Sequence, residues 1–343
     1  MIFLGIESSC DETALALVEN GRRVLSSAIS SQVDLHAKWG GVIPEIAARE
    51  HLNALSSLYI DMLKSTAFKA NDVDGIAVTQ GPGLIGCLLV GVSFAKGLAQ
   101  ASGKPLIPVN HVHAHVHGAL LGLDANYEDI FPTLALVVSG GHTNLYFMKS
   151  PRHFELLAHT IDDACGESFD KVGKMLGLPY PGGPHVESLA RKGDPSKISL
   201  PRMIERKSQM VFSYSGLKTA VSRAIAGQST TGQKLEDIAA AFQEEALGQI
   251  VRKLELACKV RPESRSIIVA GGVAANQRFK NLVQGMTSLP VLFPPLNYCS
   301  DNGAMIAALG YHQWMAGEFD PSLGWDVYSR YPFEKFLTST NEN

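Results

Sequence analysis

A chain of 343 residues that is 45% apolar and 18% charged is globular, and long enough for two domains with sizeable cores. A net charge of −3 supplies no global attraction for nucleic acid, though it leaves room for a local basic patch. The five cysteines, Cys10, Cys87, Cys165, Cys258 and Cys299, are dispersed and form no Cys-x-x-Cys, which excludes a disulfide framework and a thiolate metal knot and suits a reducing compartment.

Met1 leads straight into an apolar strand, Ile2 to Ile6, with no basic n-region, so no secretory signal is expected. The run Leu4 to Leu17 reads as a strand, a small polar turn and a second strand. Pro44 opens a helix whose recurring apolar face is Ile46, Leu52, Leu55, Leu58, Tyr59 and Met62. Ile76 to Thr79 is a strand, followed by Gly81-Pro-Gly-Leu-Ile-Gly86. That run matches G-x-G-x-x-G, but the region Ser102 to Asn110 lacks the acid a dinucleotide site needs, so the run reads as a tight turn into a helix. The most apolar stretch, Leu84 to Ala95, is glycine-interrupted and reads as too short to cross a bilayer, so a soluble cytoplasmic protein without a membrane partner is expected.

Four of the eleven histidines follow a short strand, Leu106 to Val109, as His111, His113, His115 and His117. In a helix, His111 and His115 share a face and the other two point away; in a strand all four share one face. A two-imidazole pair at helical spacing needs a carboxylate from elsewhere and an open position to serve as a metal site. The alternative is a polar cluster without a metal.

Leu134 to Phe147 repeats the layout of the first strand pair, and aligning Thr13 with Thr143 puts both hairpins in step. Two related lobes are therefore expected, each opening on a hairpin whose small tip offers backbone N–H groups to an anion. Ile238, Phe242, Ala246, Ile250 and Leu254 mark a helix face, and the strand Ile267 to Ala270 delivers Gly271-Gly272 to another helix. Asp301 precedes the apolar helix Gly303 to Ala308, where an N-cap is its plain structural reading. Residues 338–343 are polar and read as a frayed tail.

Ten blocks carry a family resemblance. They are Gly5-Ile-Glu-Ser-Ser-Cys-Asp-Glu-Thr13, Gly40-Gly-Val-Ile-Pro-Glu45, Gly81-Pro-Gly-Leu84, His111-Val-His-Ala-His115 and Val138-Ser-Gly-Gly-His-Thr143. Phe169-Asp-Lys171, Tyr180-Pro-Gly-Gly-Pro184, Phe212 to Thr219, Gly271-Gly-Val-Ala-Ala-Asn276 and Asp301-Asn-Gly-Ala-Met305 follow in order. Together they resemble the bacterial TsaD family, the tRNA adenosine threonylcarbamoyltransferases, formerly described as O-sialoglycoprotein endopeptidases. The resemblance implies a two-lobed α/β fold of the actin/Hsp70/sugar-kinase (ASKHA) type with duplicated ribonuclease-H-like domains. The expected division is residues 1–112 with 301–335 for the first lobe, 113–300 for the second, and 336–343 for a flexible tail.

The resemblance further implies a metal, Fe2+ or Zn2+, on His111, His115 and Asp301. Ala114 stands where the family usually has glycine and tightens the space before His115. The implied reaction transfers threonylcarbamoyl from threonylcarbamoyl-adenylate to the N6 amine of the adenosine 3′ of the anticodon in ANN-decoding tRNAs, releasing AMP. Val137, Val138, Ser139, Gly140 and Gly141 are assigned to the phosphate side, and Asp170, Gly183 and Asn276 to the adenosine. Asp11 and Glu12, on the first tip, are the expected acid–base groups, with Glu12 favoured. The acceptor is polyanionic, and residues 191–223 carry eight cations against two acids; Arg202, Arg206 and Lys207 are the expected tRNA contacts, whose joint replacement should flatten the salt dependence of binding. Implied partners are an inactive paralogue of the same fold (TsaB-like), paired through the first lobe's helices, and a small ATPase (TsaE-like).

Three rival activities make different demands on these residues. A metallopeptidase of the His-Glu-x-x-His kind would need a general base between its ligands, and His-Val-His-Ala-His has none. An ASKHA-fold small-molecule kinase needs no two-histidine metal site. An inactive nucleotide-sensing scaffold needs none of His111, His115, Asp301 and Glu12.

Overall fold

The computed structural model describes residues 1–66, 68–69, 72–204, 209–226 and 232–330. The first sheet begins with β1 (Ile2–Glu7), β2 (Glu12–Glu19) and β3 (Arg23–Ser31), antiparallel and joined by short connections. A short helix α1 (Val33–Ala37) and a long one, α2 (Pro44–Ser65), lead to β4 (Gly75–Gly81), and α3 (Ile85–Ser102) returns the chain to β5 (Leu106–Asn110). β4 pairs parallel with β1 and β5 with β4, so the order is β3-β2-β1-β4-β5. β1, β2 and β4 are buried almost throughout, which is why they read as nearly continuous apolar runs.

Two helices differ from their expected outlines. On α2 the buried side chains are Ala47, His51, Leu55 and Met62, whereas Leu52 is 68% exposed. α3 extends to Ser102 and is long and apolar enough to cross a membrane by those two measures, a test that core helices of soluble proteins also pass. Its Cys87, Leu88, Gly91, Val92, Ala95 and Ala99 are buried, and Val92, Ala95 and Ala99 pack with Leu4, Ile6 and Val78. One of its glycines serves a close approach rather than a break: a Cβ on Gly91 would run into the Ser8 hydroxyl.

After α4 (His111–Gly118) and α5 (Tyr127–Ile130), the second sheet opens with β6 (Thr133–Val138), β7 (Thr143–Ser150) and β8 (His153–Thr160), again antiparallel. The helices α6 (Cys165–Met175) and α7 (Gly182–Ala190), the two-residue strand β9 (Val211–Phe212), and the helices α8 (Ser215–Ile225) and α9 (Gln233–Val260) follow. β10 (Ser266–Ala270), α10 (Gln277–Met286) and β11 (Val291–Leu292) complete the sheet, and α11 (Gly303–Met315) follows it. The order β11-β10-β6-β7-β8-β9 repeats the first sheet with β9 added at one edge. β6 lies between antiparallel β7 and parallel β10, as β1 lies between β2 and β4. Ile238, Phe242, Ala246, Ile250 and Leu254 form a fully buried stripe along α9.

By mutual contact the chain divides into Met1–Gln32, Val42–Ala114 and Asn302–Asn343 on one side, and Val33–Gly41 with His115–Asp301 on the other. The first unit contains the first sheet with α2, α3 and α11; the second contains the second sheet with α6 to α10. The segment 33–41 thus groups with the second unit, a detail the expected boundaries lack. Residues 336–343 lie outside the described residues. In the first unit, Gly5 and Gly303 let α11 lie against β1 and β2: a Cβ on Gly5 would collide with the Gly303 carbonyl, and one on Gly303 would lie 2.6 Å from the Ala16 nitrogen. That contact anchors the first turn of α11, next to Asp301.

Candidate functional site

β5 ends on Asn110, whose side-chain oxygen accepts a hydrogen bond from the His113 amide (3.1 Å) and starts α4. The histidine run is therefore helical, with His111 and His115 one turn apart. His117 donates from Nε2 to the Pro151 carbonyl at 2.8 Å, a structural role. Burial pushes His113 down to about 3, so it is neutral at physiological pH.

His111 Nδ1 lies 3.0 Å from Glu7 Oε2 and 3.2 Å from Ser9 Oγ. Glu7, fully buried at the end of β1, also accepts from the Thr79 hydroxyl and the Ser9 amide, both at 2.6 Å. Burial alone would raise its pKa; the charge and hydrogen bond of His111, with the bonds from Thr79 and Ser9, outweigh it and hold the carboxyl well below the usual range. With Nδ1 turned to a carboxylate, Nε2 is the ligand atom His111 can offer, and a carboxylate behind a metal-binding imidazole fixes its tautomer and orientation. Sequence reasoning missed Glu7. The available signal was an acid closing a strand whose other residues are apolar or glycine.

His115, also buried, places Nε2 3.3 Å from Asp301 Oδ1. Donor atoms of His111, His115 and Asp301 all lie within 4.8 Å of one another. Two neutral imidazoles and a carboxylate suit one divalent ion of intermediate softness, with coordination positions left for substrate. Asp301 is not the cap of α11. Asn302 is, accepting from the Met305 amide at 2.9 Å, so the preceding carboxylate is available to His115.

Asp11 ends the tip joining β1 and β2, and Glu12 is the first residue of β2, paired with Ser31. The Asp11 carbonyl accepts from the Gln32 amide at 3.0 Å, and Glu12 Oε1 accepts from the Ser31 hydroxyl at 2.9 Å. Neither belongs to the cluster of metal-competent donors.

The second tip is built from backbone. Val137 and Val138 are buried in β6, Ser139 is buried, and Gly140 and Gly141 are exposed. The Ser139 amide donates to the His142 carbonyl (2.8 Å), and the His142 amide returns a bond to Ser139 Oγ (3.2 Å). The first turn of α6 grips the tip, with Gly166 and Glu167 amides donating to the Ser139 and Gly140 carbonyls at 3.2 and 3.1 Å. A Cβ on Gly166 would lie 2.6 Å from the Ser139 oxygen, and one on Gly271 would collide with the Val138 oxygen.

Asp170 Oδ1 accepts from the Gly182 and Gly183 amides (2.7 and 3.3 Å) and starts α7, while a Cβ on Gly183 would meet open space. Asn276 caps α10 through the Phe279 amide (2.9 Å) and donates to Gln243 Oε1 (2.9 Å). Both therefore do structural work that the sequence reading did not foresee. A hollow of about 360 Å³ adjoins Asn276's neighbours and is lined in part by Glu187, Gln243, Glu244, Gln277 and Arg278. No motif marked Glu187 or Gln243. In the basic segment Arg202 is exposed, Lys218 is ion-paired with Asp163, and Arg206 and Lys207 lie outside the described residues.

The sequence profile described as TsaD, tRNA N6-adenosine threonylcarbamoyltransferase, matches residues 23–308. The chain belongs to the TsaD family. The Carboxydothermus hydrogenoformans protein named tRNA N6-adenosine threonylcarbamoyltransferase is 49% identical over 324 residues, spanning 93% of this chain and 94% of that one. Its Moorella thermoacetica namesake is 45% identical over 324 residues, covering 93% of each. Among solved structures, T. kodakarensis HypF aligns at 15% identity with a TM-score of 0.61, over 94% of this chain and 48% of that one. At that identity the likeness bears on fold alone, and it agrees with the ASKHA architecture expected of a TsaD-family chain with two like sheets.

Proposed function

We propose that His111, His115 and Asp301 hold one divalent ion, Fe2+ or Zn2+, and that the two hairpin tips divide the remaining work of the family's reaction. As a tRNA N6-adenosine threonylcarbamoyltransferase the chain is an acyltransferase of tRNA modification. It moves threonylcarbamoyl from its adenylate to the N6 amine of the adenosine 3′ of the anticodon in ANN-decoding tRNAs. A new N–C bond replaces the bond from the carbonyl carbon to the phosphate oxygen, and AMP leaves. The convergence of three metal-competent donors within 4.8 Å, with Glu7 behind His111, is the observation that carries the site assignment.

Held by His111, His115 and Asp301, a divalent ion would supply Lewis acidity to the carbonyl under attack. The amides of exposed Gly140 and Gly141 and the Ser139 hydroxyl receive the phosphate, while Val137 and Val138, buried in β6, and the Ser139 amide, bonded to the His142 carbonyl, hold the tip behind them. Asp170, tied by Oδ1 to the start of α7, offers its second oxygen to the ribose, and Gly183 and Asn276 flank the adenosine. Glu12 takes the proton lost by the amine, with Asp11 behind it.

Arg202 with Arg206 and Lys207 contacts tRNA phosphates in this reading. The TsaB-like paralogue docks on α2 and α3, where an apolar hollow of about 350 Å³ lies among Leu52, Leu55, Leu89, Val90 and Phe94. A TsaE-like ATPase assists, and the setting is the cytoplasm. Neither the peptidase nor the kinase is favoured.

The test supplies the adenylate and unmodified tRNA, with partner subunits present, and follows AMP release and modified nucleoside. Product is expected from the parent and not from His111→Ala; no product from the parent refutes the transferase reading.

A further inference from the structure

The first tip is held from outside by a side chain with no assigned part in the transfer. His51 is fully buried on α2 and reaches both flanks of the tip. Its Nε2 lies 2.9 Å from the Cys10 carbonyl oxygen and its Nδ1 2.7 Å from Thr13 Oγ1. A carbonyl can only accept, so Nε2 carries the proton; Nδ1 then accepts, and the Thr13 hydroxyl donates to it. The residues bracketed by these two contacts are Asp11 and Glu12.

A second tie runs the same way. Gln32 donates its side-chain amide to the Ala47 carbonyl (3.4 Å) and its backbone amide to the Asp11 carbonyl (3.0 Å). Ala47 and His51 are one turn apart on the buried face of α2, so that face grips the tip at Cys10, Asp11 and Thr13. The front of the tip is held separately, by the Leu84 amide on the Ser9 carbonyl (2.8 Å).

We propose that His51 is a positioning residue for the transfer: by bridging Cys10 and Thr13 it sets where the Asp11 and Glu12 carboxylates stand relative to the attacking amine. The proposal rests on the reading of Glu12 as proton acceptor. An apolar residue at position 51 would leave the Thr13 hydroxyl and the Cys10 carbonyl without these bonds and let the tip drift. Misplacement of a reacting group by about an ångström costs up to about a hundredfold in rate.

The experiment uses the metal-loaded full chain with its partner subunits, and measures kcat and KM for the adenylate together with metal content. His51→Ala and Thr13→Val should each lower kcat by about 10- to 100-fold while KM and metal content stay within about twofold. His51→Gln, which keeps a donor for the Cys10 carbonyl, should recover part of the loss. Because His51 acts through Glu12, adding His51→Ala to Glu12→Gln should cost no more than about threefold beyond Glu12→Gln alone. A slow Glu12→Gln beside full-rate His51→Ala and Thr13→Val overturns the positioning role alone, as do losses that multiply in the double variant. A full-rate Glu12→Gln removes the proton-acceptor assignment and the positioning proposal with it.

Discussion

The hairpin β1–β2 and the hairpin β6–β7 occupy equivalent places in equivalent sheets, yet their tips use different chemistry. The first tip begins at a fully buried carboxylate, Glu7, which orients His111, and continues through two further acids. The second has no acid from Thr133 to Ser150; it presents exposed Gly140 and Gly141 and is gripped by the amides of α6. A duplicated backbone thus places two tips alike, and side chains alone differentiate them into a charge-bearing tip and one built from backbone donors. Burial makes the first arrangement sensitive to loss of charge, because an imidazole left without its carboxylate loses orientation. The second is sensitive to backbone volume where Gly166 and Gly271 pack against it, because a Cβ at either would run into the Ser139 or Val138 carbonyl.

Glu7→Gln should separate the two tips most strongly. Metal affinity should fall by about 10- to 100-fold, while KM for the adenylate changes little; competition with a chelator reads the first and steady-state kinetics the second. Gly166→Ala should do the opposite. Its methyl lies 2.6 Å from the Ser139 oxygen, so the tip must move. KM for the adenylate should rise by about tenfold and stability drop by about 1–3 kcal/mol, with metal retained. Metal loss from Gly166→Ala, or a raised KM from Glu7→Gln, would mean that the tips do not divide the work.

The smallest expected effect concerns the turn that leads into α6. Asp162 accepts from the Ser213 hydroxyl, the Tyr214 amide and the Ser215 hydroxyl. Burial raises its pKa, but these bonds outweigh it and the net shift is downward. A carboxyl with a lowered folded pKa stabilises the fold above its ordinary value and loses that contribution as pH falls through the folded value. Asp162→Asn should therefore cost about 1 kcal/mol at neutral pH, and the gap from the parent should narrow below about pH 4. Urea melts at pH 7 and pH 3.5 check this, and a gap that widens in acid contradicts the sign.

Much of the architecture was legible from local pattern. Strand runs, the α9 stripe and the repeat of one hairpin by another all follow from side-chain periodicity, which the backbone imposes over a few residues. The same rules fail where packing chooses between local equals. Asp301 and Asn302 are both good caps; only the placement of α11 on β1 and β2 selects Asn302 and leaves Asp301 for His115. Leu52 belongs to the α2 periodicity but faces outward, and Lys218, counted among the basic residues, is taken by Asp163.

The amino-acid order by itself therefore determined which elements form, that two of them repeat, and which family the chain resembles. Tertiary structure decided that the histidine run is a helix started by Asn110, that Glu7 stands behind His111, and that Asp301 meets His115. The reason is range. Helix and strand periodicities are written within a turn or two, whereas meetings between residues 104 and 186 positions apart depend on how whole sheets and helices pack.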